Sequence, residues 1–260
     1  MKNIFFFLIS LSIAFNSFSA KDKENSTTET KDDSKLNSGA LSAFKFRAVG
    51  PALTSGRVAD IAINEKIPGT YFVATASGGV WKTENWGTSY QSIFDKQGSY
   101  SIGCITIDPN NPHTIWVGSG ENNNQRSVAY GDGLYKSNDG GKSWKMKTLK
   151  SPYGVYGDPV ITADYQGNFY FAHLSDPDGT GWSSDKLLDR IVVQRSEDGG
   201  KTWSDGGYAG MHHPKDQDKQ WLAVNPENND IYMTWTEFDV YNSKKDEDDS
   251  RILFSKSTDK

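Results

Sequence analysis

Hydrophobic and polar positions alternate along this chain in short runs, each closed by an Asn or an Asp. The runs are VADIAIN ending at Asn64, IGCITID at Asp108, PVITAD at Asp164 and WLAVN at Asn225. A period of two puts successive side chains on opposite faces of an extended strand. A turn signal follows each run: EKIPG, PNNP, YQGN and PENND. Gly, Pro and Asn end strands because they supply backbone angles that other residues resist. A second alternating run then begins (TYFVATA, TIWVGSG, FYFAHLS, IYMTWTE), followed by a third (GVWKTE, GLYKSN, IVVQRSE, ILFSKST). A weaker fourth run, such as YQSIFD or WKMKTL, completes the unit. Four short antiparallel strands repeated in this way predict an all-β chain built as β-propeller blades. About four blades are expected, at roughly residues 43–98, 99–152, 153–214 and 215–260, the last one truncated.

An eight-residue string marks the same place in each unit. SNDGGKSW at residues 137–144 returns as SEDGGKTW at 196–203. TENWGTSY at 83–90 is a weaker copy, and STDK opens a fourth at Ser257. Starts at 83, 137, 196 and 257 lie 54, 59 and 61 residues apart, a period that signals an array of supersecondary units. The string falls on the turn between the third and fourth strands. Ser137, Asp139, Gly141 and Trp144, and likewise Ser196, Asp198, Gly200 and Trp203, are therefore read as structural. The glycine permits a left-handed backbone. The aspartate accepts hydrogen bonds from the turn's own amides, and the tryptophan is large enough to fill the space between blades. One copy per repeat is the behaviour of a fold element, not of a catalytic or metal-binding aspartate. The last copy stops inside its string, so further blades are expected from missing sequence or from an oligomer.

Blade geometry sorts the loops onto two faces. These turns occupy one face, and the links between blades and the loops joining second to third strands occupy the other. Those second-to-third-strand loops are long in three repeats, and long loops on a rigid scaffold are where function usually sits. The starts of the first strands place Arg57, Ser101, Asp158 and Asp218 toward this funnel face, with Arg47 just before them. The loops add Arg126, Tyr130, Trp182, Arg190, Glu237, Asp239 and Tyr241 among others. Arginines offer carboxylates a bidentate fork, and aromatic rings stack on apolar sugar faces. The set suits a polar ligand such as a sugar or an acidic group. A solvated rim with internal ion pairs is the plainer alternative for any one residue. Asp158 and Asp218 are the candidates for glycosidic acid–base chemistry.

Metal chemistry is poorly supplied. Residues 176–181 read DPDGTG but lack the rest of an EF-hand loop, so they are a polar turn with calcium as the alternative. His212 and His213 lack a third ligand at zinc spacing, and no metal is predicted. The net charge of −5 argues against nucleic acid, whose phosphates need a basic face. Residues 1–20 carry Lys2, an apolar stretch and then small residues, the pattern of a cleaved signal peptide. The apolar run is too short for a membrane span. Residues 21–42 are charged, Ser/Thr-rich and without aromatic residues, as in a polar linker. Secretion, or placement in a periplasm or at the cell surface, follows. Cys104 is the only cysteine, so no intramolecular disulfide staples the chain, and its apolar surroundings suit a buried strand position.

The repeated strings resemble the Asp boxes of the BNR-repeat superfamily, which includes sialidases, sortilin-type propellers and related bacterial glycosidases. FRAVGPALTSGRVADIAIN and VGSGENNNQRSVAYGDGLYKSNDGGKSW resemble the start of large bacterial sortilin-like proteins, often called glycosyl hydrolases. From about Tyr156, RIVVQRSEDGGKTW and DKQWLAVNPENNDIYMTWTEFD are more similar to secreted sialidase-like propellers. The resemblance implies three arginines on a substrate carboxylate, a tyrosine–glutamate nucleophile pair and an acid/base aspartate. Arg47, in FRAVGP, matches only part of the family's Phe-Arg-Ile-Pro start. The expectation is an exported propeller that binds glycan or peptide on its funnel face. The alternative is an exo-sialidase or other glycoside hydrolase acting on extracellular glycans.

Overall fold

The structure, a computed structural model, describes residues 56–120, 122, 130–176 and 187–258. Among the described residues, fifteen strands form four antiparallel sheets. The first sheet holds β1 (Val58–Ile63), β2 (Tyr71–Thr75), β3 (Gly79–Thr83) and β4 (Gln91–Ser92) in that order. The second holds β5 (Ile102–Ile107), β6 (Ile115–Ser119), β7 (Leu134–Ser137) and β8 (Lys145–Lys147). The third holds β9 (Val160–Ala163), β10 (Phe169–Ser175), β11 (Arg190–Ser196) and β12 (Gly207–Gly210). The fourth holds β13 (Asp216–Val224), β14 (Ile231–Phe238) and β15 (Ser250–Ser257). This is the expected all-β propeller of four blades, the last with three strands among the described residues.

The core is three seams between blades. Alternation in each strand sends odd and even residues to different neighbours. Ile115 and Val117 of β6 join Phe72, Ala74 and Val80 of the first blade, whereas Trp116 between them joins Phe169 and Phe171 of the third. Tyr170, Ala172 and Leu174 of β10 face the other way, onto Leu222, Ile231 and Met233 of the fourth blade. A middle strand is therefore buried on both faces, as all seven residues of β10 are. Cys104 is fully buried in the second seam, and that burial pushes its thiol far above the ordinary range. The outward faces of the first and last blades stay open: Ile63 is 69% exposed and Phe254 63%.

Short polar side chains set the turns on one face. Asn64 Oδ1 accepts from the amides of Lys66 and Ile67, and Asp108, Asp164 and Asn225 do the same for the residues two ahead of them. The S-x-D-x-G turns have an equally local logic. Ser137 Oγ donates to Asp139 (2.7 Å) and accepts from Gly141 N, while Asp139 Oδ1 accepts from Lys142 N and Ser143 N. Ser196 and Asp198 repeat the pattern on Gly200, Lys201 and Thr202. Gly141 sits at φ +89° and Gly200 at +83°, left-handed angles that favour glycine. The tryptophans then close the seams. Trp144 Nε1 donates to Ile93 O of the preceding blade (3.0 Å), and Trp203 meets Trp116 edge-on.

Candidate functional site

The opposite end of the blades gathers the charged groups. Asp158 stands just before β9, next to Pro159, whose ring packs closely over Gly103 and Gly118 of the second blade. A Cβ on either glycine would lie 3.0 Å or less from that ring. Asp158 has φ +57°, although the residue before a proline normally favours extended angles. Lys219, inside β13, has φ +56°. Non-glycine residues hold such angles only where the surroundings enforce them, commonly at functional sites.

These two strained residues meet. Lys219 Nζ lies 2.7 Å from Asp158 Oδ2 and 3.0 Å from Asp218 Oδ1. A register shift in β13 between Asp218 and Trp221 makes this possible. In a regular strand, neighbours 218 and 219 would point to opposite faces; the bulge lets both reach one site. Gln220 adds a short hydrogen bond from Nε2 to the backbone carbonyl of Asp158. Burial, then the Asp218 carboxylate, push the Asp158 carboxyl above the usual carboxylate range, against the pull of Lys219. Burial draws the Lys219 ammonium down, but the two carboxylates outweigh it and leave it above its ordinary value. Tyr241, from the loop between β14 and β15, is 40% exposed, and burial followed by the charge of Asp218 raises its phenol.

Buried polar atoms without a hydrogen-bond partner among the described residues include Ser101 Oγ, Asn122 Oδ1 and Gln220 Oε1. Asn122 is held by its own Nδ2, which donates to Gly103 O at 2.6 Å, beside Pro159. Buried polar atoms rarely go without a partner, which makes these atoms available contacts for a polar ligand.

A second network lies in the fourth blade. Glu237 of β14 is 3% exposed and receives His212 Nδ1 (2.5 Å), Arg251 Nη1 (3.0 Å), Gln217 Nε2 (3.2 Å) and Lys215 Nζ (3.4 Å). Burial alone would raise its carboxyl, but those four donors together hold it down to about 2. Asp239 takes Arg251 through both nitrogens (2.8 and 3.0 Å) and is likewise held well below the usual range, by Arg251 first and Lys215 second.

Other sequence candidates are placed differently. Arg190 is not on an open rim: it is 6% exposed, bonded twice to Asp189 (2.7 and 3.0 Å), and its guanidinium lies 4.7 Å from the Tyr153 ring and 5.5 Å from the Tyr208 ring. Arg57 is half-exposed just before β1, and Tyr130 is 68% exposed with its hydroxyl donating to Gly98 O. Arg47, Arg126 and Trp182 lie outside the described residues, as do residues 177–181 of DPDGTG. Among the described residues, no group of three or more His, Cys, Asp or Glu is arranged to hold a metal, and no helix is long and apolar enough to cross a membrane. Sequence reasoning missed Lys219, Gln220 and Gln217. Lys219 and Gln220 act through a bulge and contacts to the third blade, and Gln217 through cross-strand bonds to Glu237 and Trp235, none of which leaves a local signal.

No known family profile matches the chain. A sialidase of Bacteroides fragilis (strain YCH46) is 33% identical over 92 residues, covering 28% of this chain and 17% of that protein. The fold has solved counterparts. An α-L-arabinanase of Penicillium chrysogenum superposes with a TM-score of 0.51 at 13% identity, covering 78% of this chain and 63% of the other. An α-L-arabinofuranosidase of Fusarium graminearum superposes with 0.51 at 14% identity, covering 81% and 66%. These superpositions show the β-propeller fold, and the chain spans less than two thirds of each of these proteins.

Proposed function

We propose that this chain is an exported propeller that recognises glycans on its funnel face, at the site formed by Asp158, Lys219 and Asp218. The carrying observation is the Lys219 ammonium held between two carboxylates that come from adjacent blades. Such a floor offers charged donors and acceptors to sugar hydroxyls. Tyr241 beside it supplies an aromatic face, and the unpartnered Ser101, Asn122 and Gln220 atoms supply further polar contacts. The apolar leader at residues 1–20, the Asp-box pattern and the stretch similar to a sialidase support an extracellular glycan as ligand.

Glycoside hydrolysis is the second reading, favoured by the state of Asp158. A carboxyl raised by burial beside a second carboxylate is the kind of pair that glycosidic acid–base chemistry uses. One experiment separates the two. Glycan-array binding and release of a chromogenic aglycone from a sialoside and arabinoside panel are measured for the chain and for Asp158→Asn. Array binding that falls at least about tenfold in the variant, without turnover, supports recognition; turnover lost in the variant supports hydrolysis. Unchanged binding in both Asp158→Asn and Asp218→Asn, or no glycan bound at all, overturns the site.

A further inference from the structure

The charges around Asp158 do not balance. One ammonium, Lys219 Nζ, serves two carboxylates, Asp158 from the third blade and Asp218 from the fourth. A third carboxylate stands close by. The Tyr241 phenol is raised by burial and then by Asp218, with Asp158 and Asp216 adding to the effect and Lys219 opposing it. Asp216 accepts from the backbone amides of Leu188 (3.2 Å) and Tyr241 (3.3 Å), and among the described residues it pairs with no cation. Other cations at this end are engaged. Arg251 and Lys215 bind Glu237 and Asp239, and Arg190 binds Asp189.

The unpartnered amides add acceptors to this site, not donors. Gln220 lies in the β13 bulge beside Lys219, and its Nε2 donates to Asp158 O. Asn122 Nδ2 donates to Gly103 O at 2.6 Å, where the Pro159 ring packs. Each amide nitrogen is fixed on a carbonyl, and turning either amide over would set oxygen against oxygen. The atoms left without a partner are therefore oxygens, Gln220 Oε1 and Asn122 Oδ1, on residues that are 3% and 5% exposed. A ligand carboxylate or phosphate carries acceptors and would leave these oxygens unsatisfied. A sugar hydroxyl has one proton to donate. An ammonium has three, and it brings the positive charge that the carboxylates lack.

We propose that the ligand group seated against Asp158 and Asp218 is an ammonium, so that the glycan this site takes is an amino sugar with free amino groups. The inference rests on the glycan reading of the site and narrows it. The ligand's ammonium stands beside Lys219 as a second cation facing the three carboxylates. Burial, and after it the Asp218 carboxylate, hold the Asp158 carboxyl above the usual range. A second cation draws it back down. Where Asp158 carries its proton in the free protein, binding of the ammonium therefore releases that proton to solvent. N-acetylation turns the ammonium into a neutral amide, which keeps one donor and loses the charge, so an acetylated sugar binds weakly.

Titration calorimetry of the whole chain compares the glucosamine trimer of chitosan, cellotriose and sialyllactose at about pH 6, where the amino sugar is protonated. The first two share linkage and ring stereochemistry and differ in the amino groups. The glucosamine trimer is expected to bind at least about tenfold tighter than cellotriose, with sialyllactose weakest. Its binding is expected to release protons, read from the dependence of the heat on buffer ionisation. Asp218→Asn is expected to erase the preference for the amine. Equal or tighter binding of cellotriose or sialyllactose overturns the inference and leaves glycan recognition at the site standing. A preference that survives Asp218→Asn also overturns it, because general attraction to a chain of net charge −5 then accounts for the result. If that variant fails to fold, the parent chain decides: binding of the amine without proton release overturns the inference. Binding of none of the three overturns it, and a glycan array without any bound sugar overturns the broader reading with it.

Discussion

Trp203 meets Trp116 edge-on across the seam between the third and second blades, with ring centroids 5.7 Å apart and planes at 88°. The residue belongs to a surface turn, yet its indole fills the core between two sheets. Trp203→Ala removes that filling and leaves Trp116, Phe169 and Phe171 facing a cavity. A loss of about 2–4 kcal/mol is expected, at the lower part of the range for buried tryptophans because Trp203 is only partly buried. Trp203→Phe keeps an edge contact and costs less. Urea unfolding monitored by near-ultraviolet circular dichroism checks both; a Trp203→Ala midpoint equal to the parent's would show the indole to be dispensable.

Ser196 is nearly fully buried and does two things at once. Its hydroxyl donates to Asp198 Oδ1 (2.9 Å) and accepts from Gly200 N (2.8 Å). Ser196→Ala strands a buried amide, so a cost of about 1–2 kcal/mol is expected. Ser137→Ala, in the same position one blade earlier, is expected to cost a similar amount. Thermal melts of the two single variants and the double variant are the measurement, with near-additive losses because the two turns share no partner.

Lys219→Met leaves Asp158 and Asp218 without the cation between them. A buried carboxylate without its partner is costly, and about 2–4 kcal/mol of stability is expected to go at neutral pH. The sign with pH follows from the direction of the Asp158 shift. Its carboxyl is already raised in the folded state, and losing the ammonium raises it further. A carboxyl with a raised folded pKa is accommodated at low pH and penalised as pH rises through that value. The variant's deficit is therefore expected to shrink as pH is lowered from neutral toward the ordinary carboxylate range. Denaturant unfolding at several pH values reads this directly, and a deficit independent of pH would contradict it.

His173 is fully buried, and burial lowers its imidazole from 6.5 to about 4. Its Nδ1 lies 2.9 Å from Leu174 O and 3.1 Å from Ser175 Oγ. The unfolded chain takes up this proton at a higher pH than the folded one does. The stability that neutral His173 contributes is complete above pH 6.5 and lost as pH falls toward 4. About 3 kcal/mol is expected to disappear across that window in the parent chain. His173→Phe, which cannot titrate, is expected to lose correspondingly less. Comparing the two slopes between pH 7 and 4 isolates this group from the carboxylates, which both proteins share.

Sequence alone settled whatever depends on near neighbours. Alternation in IGCITID or FYFAHLS marks strands because pleating is a property of two consecutive residues. The Ser137 and Ser196 turns are legible because each hydroxyl and carboxylate bonds within four residues of itself. Counting those turns counted the blades. The tertiary structure decided which charged groups share a site. Asp158 and Lys219 are 61 positions apart, and they meet only because Pro159 locks onto Gly103 and Gly118 and a bulge turns Lys219 toward Asp218. Arg190 reads from sequence as a loop arginine, yet Asp189, Tyr153 and Tyr208 enclose it. Side-chain direction at a strand end is set by backbone angles and by the neighbouring blade, and neither is encoded in the local pattern of polar and apolar residues.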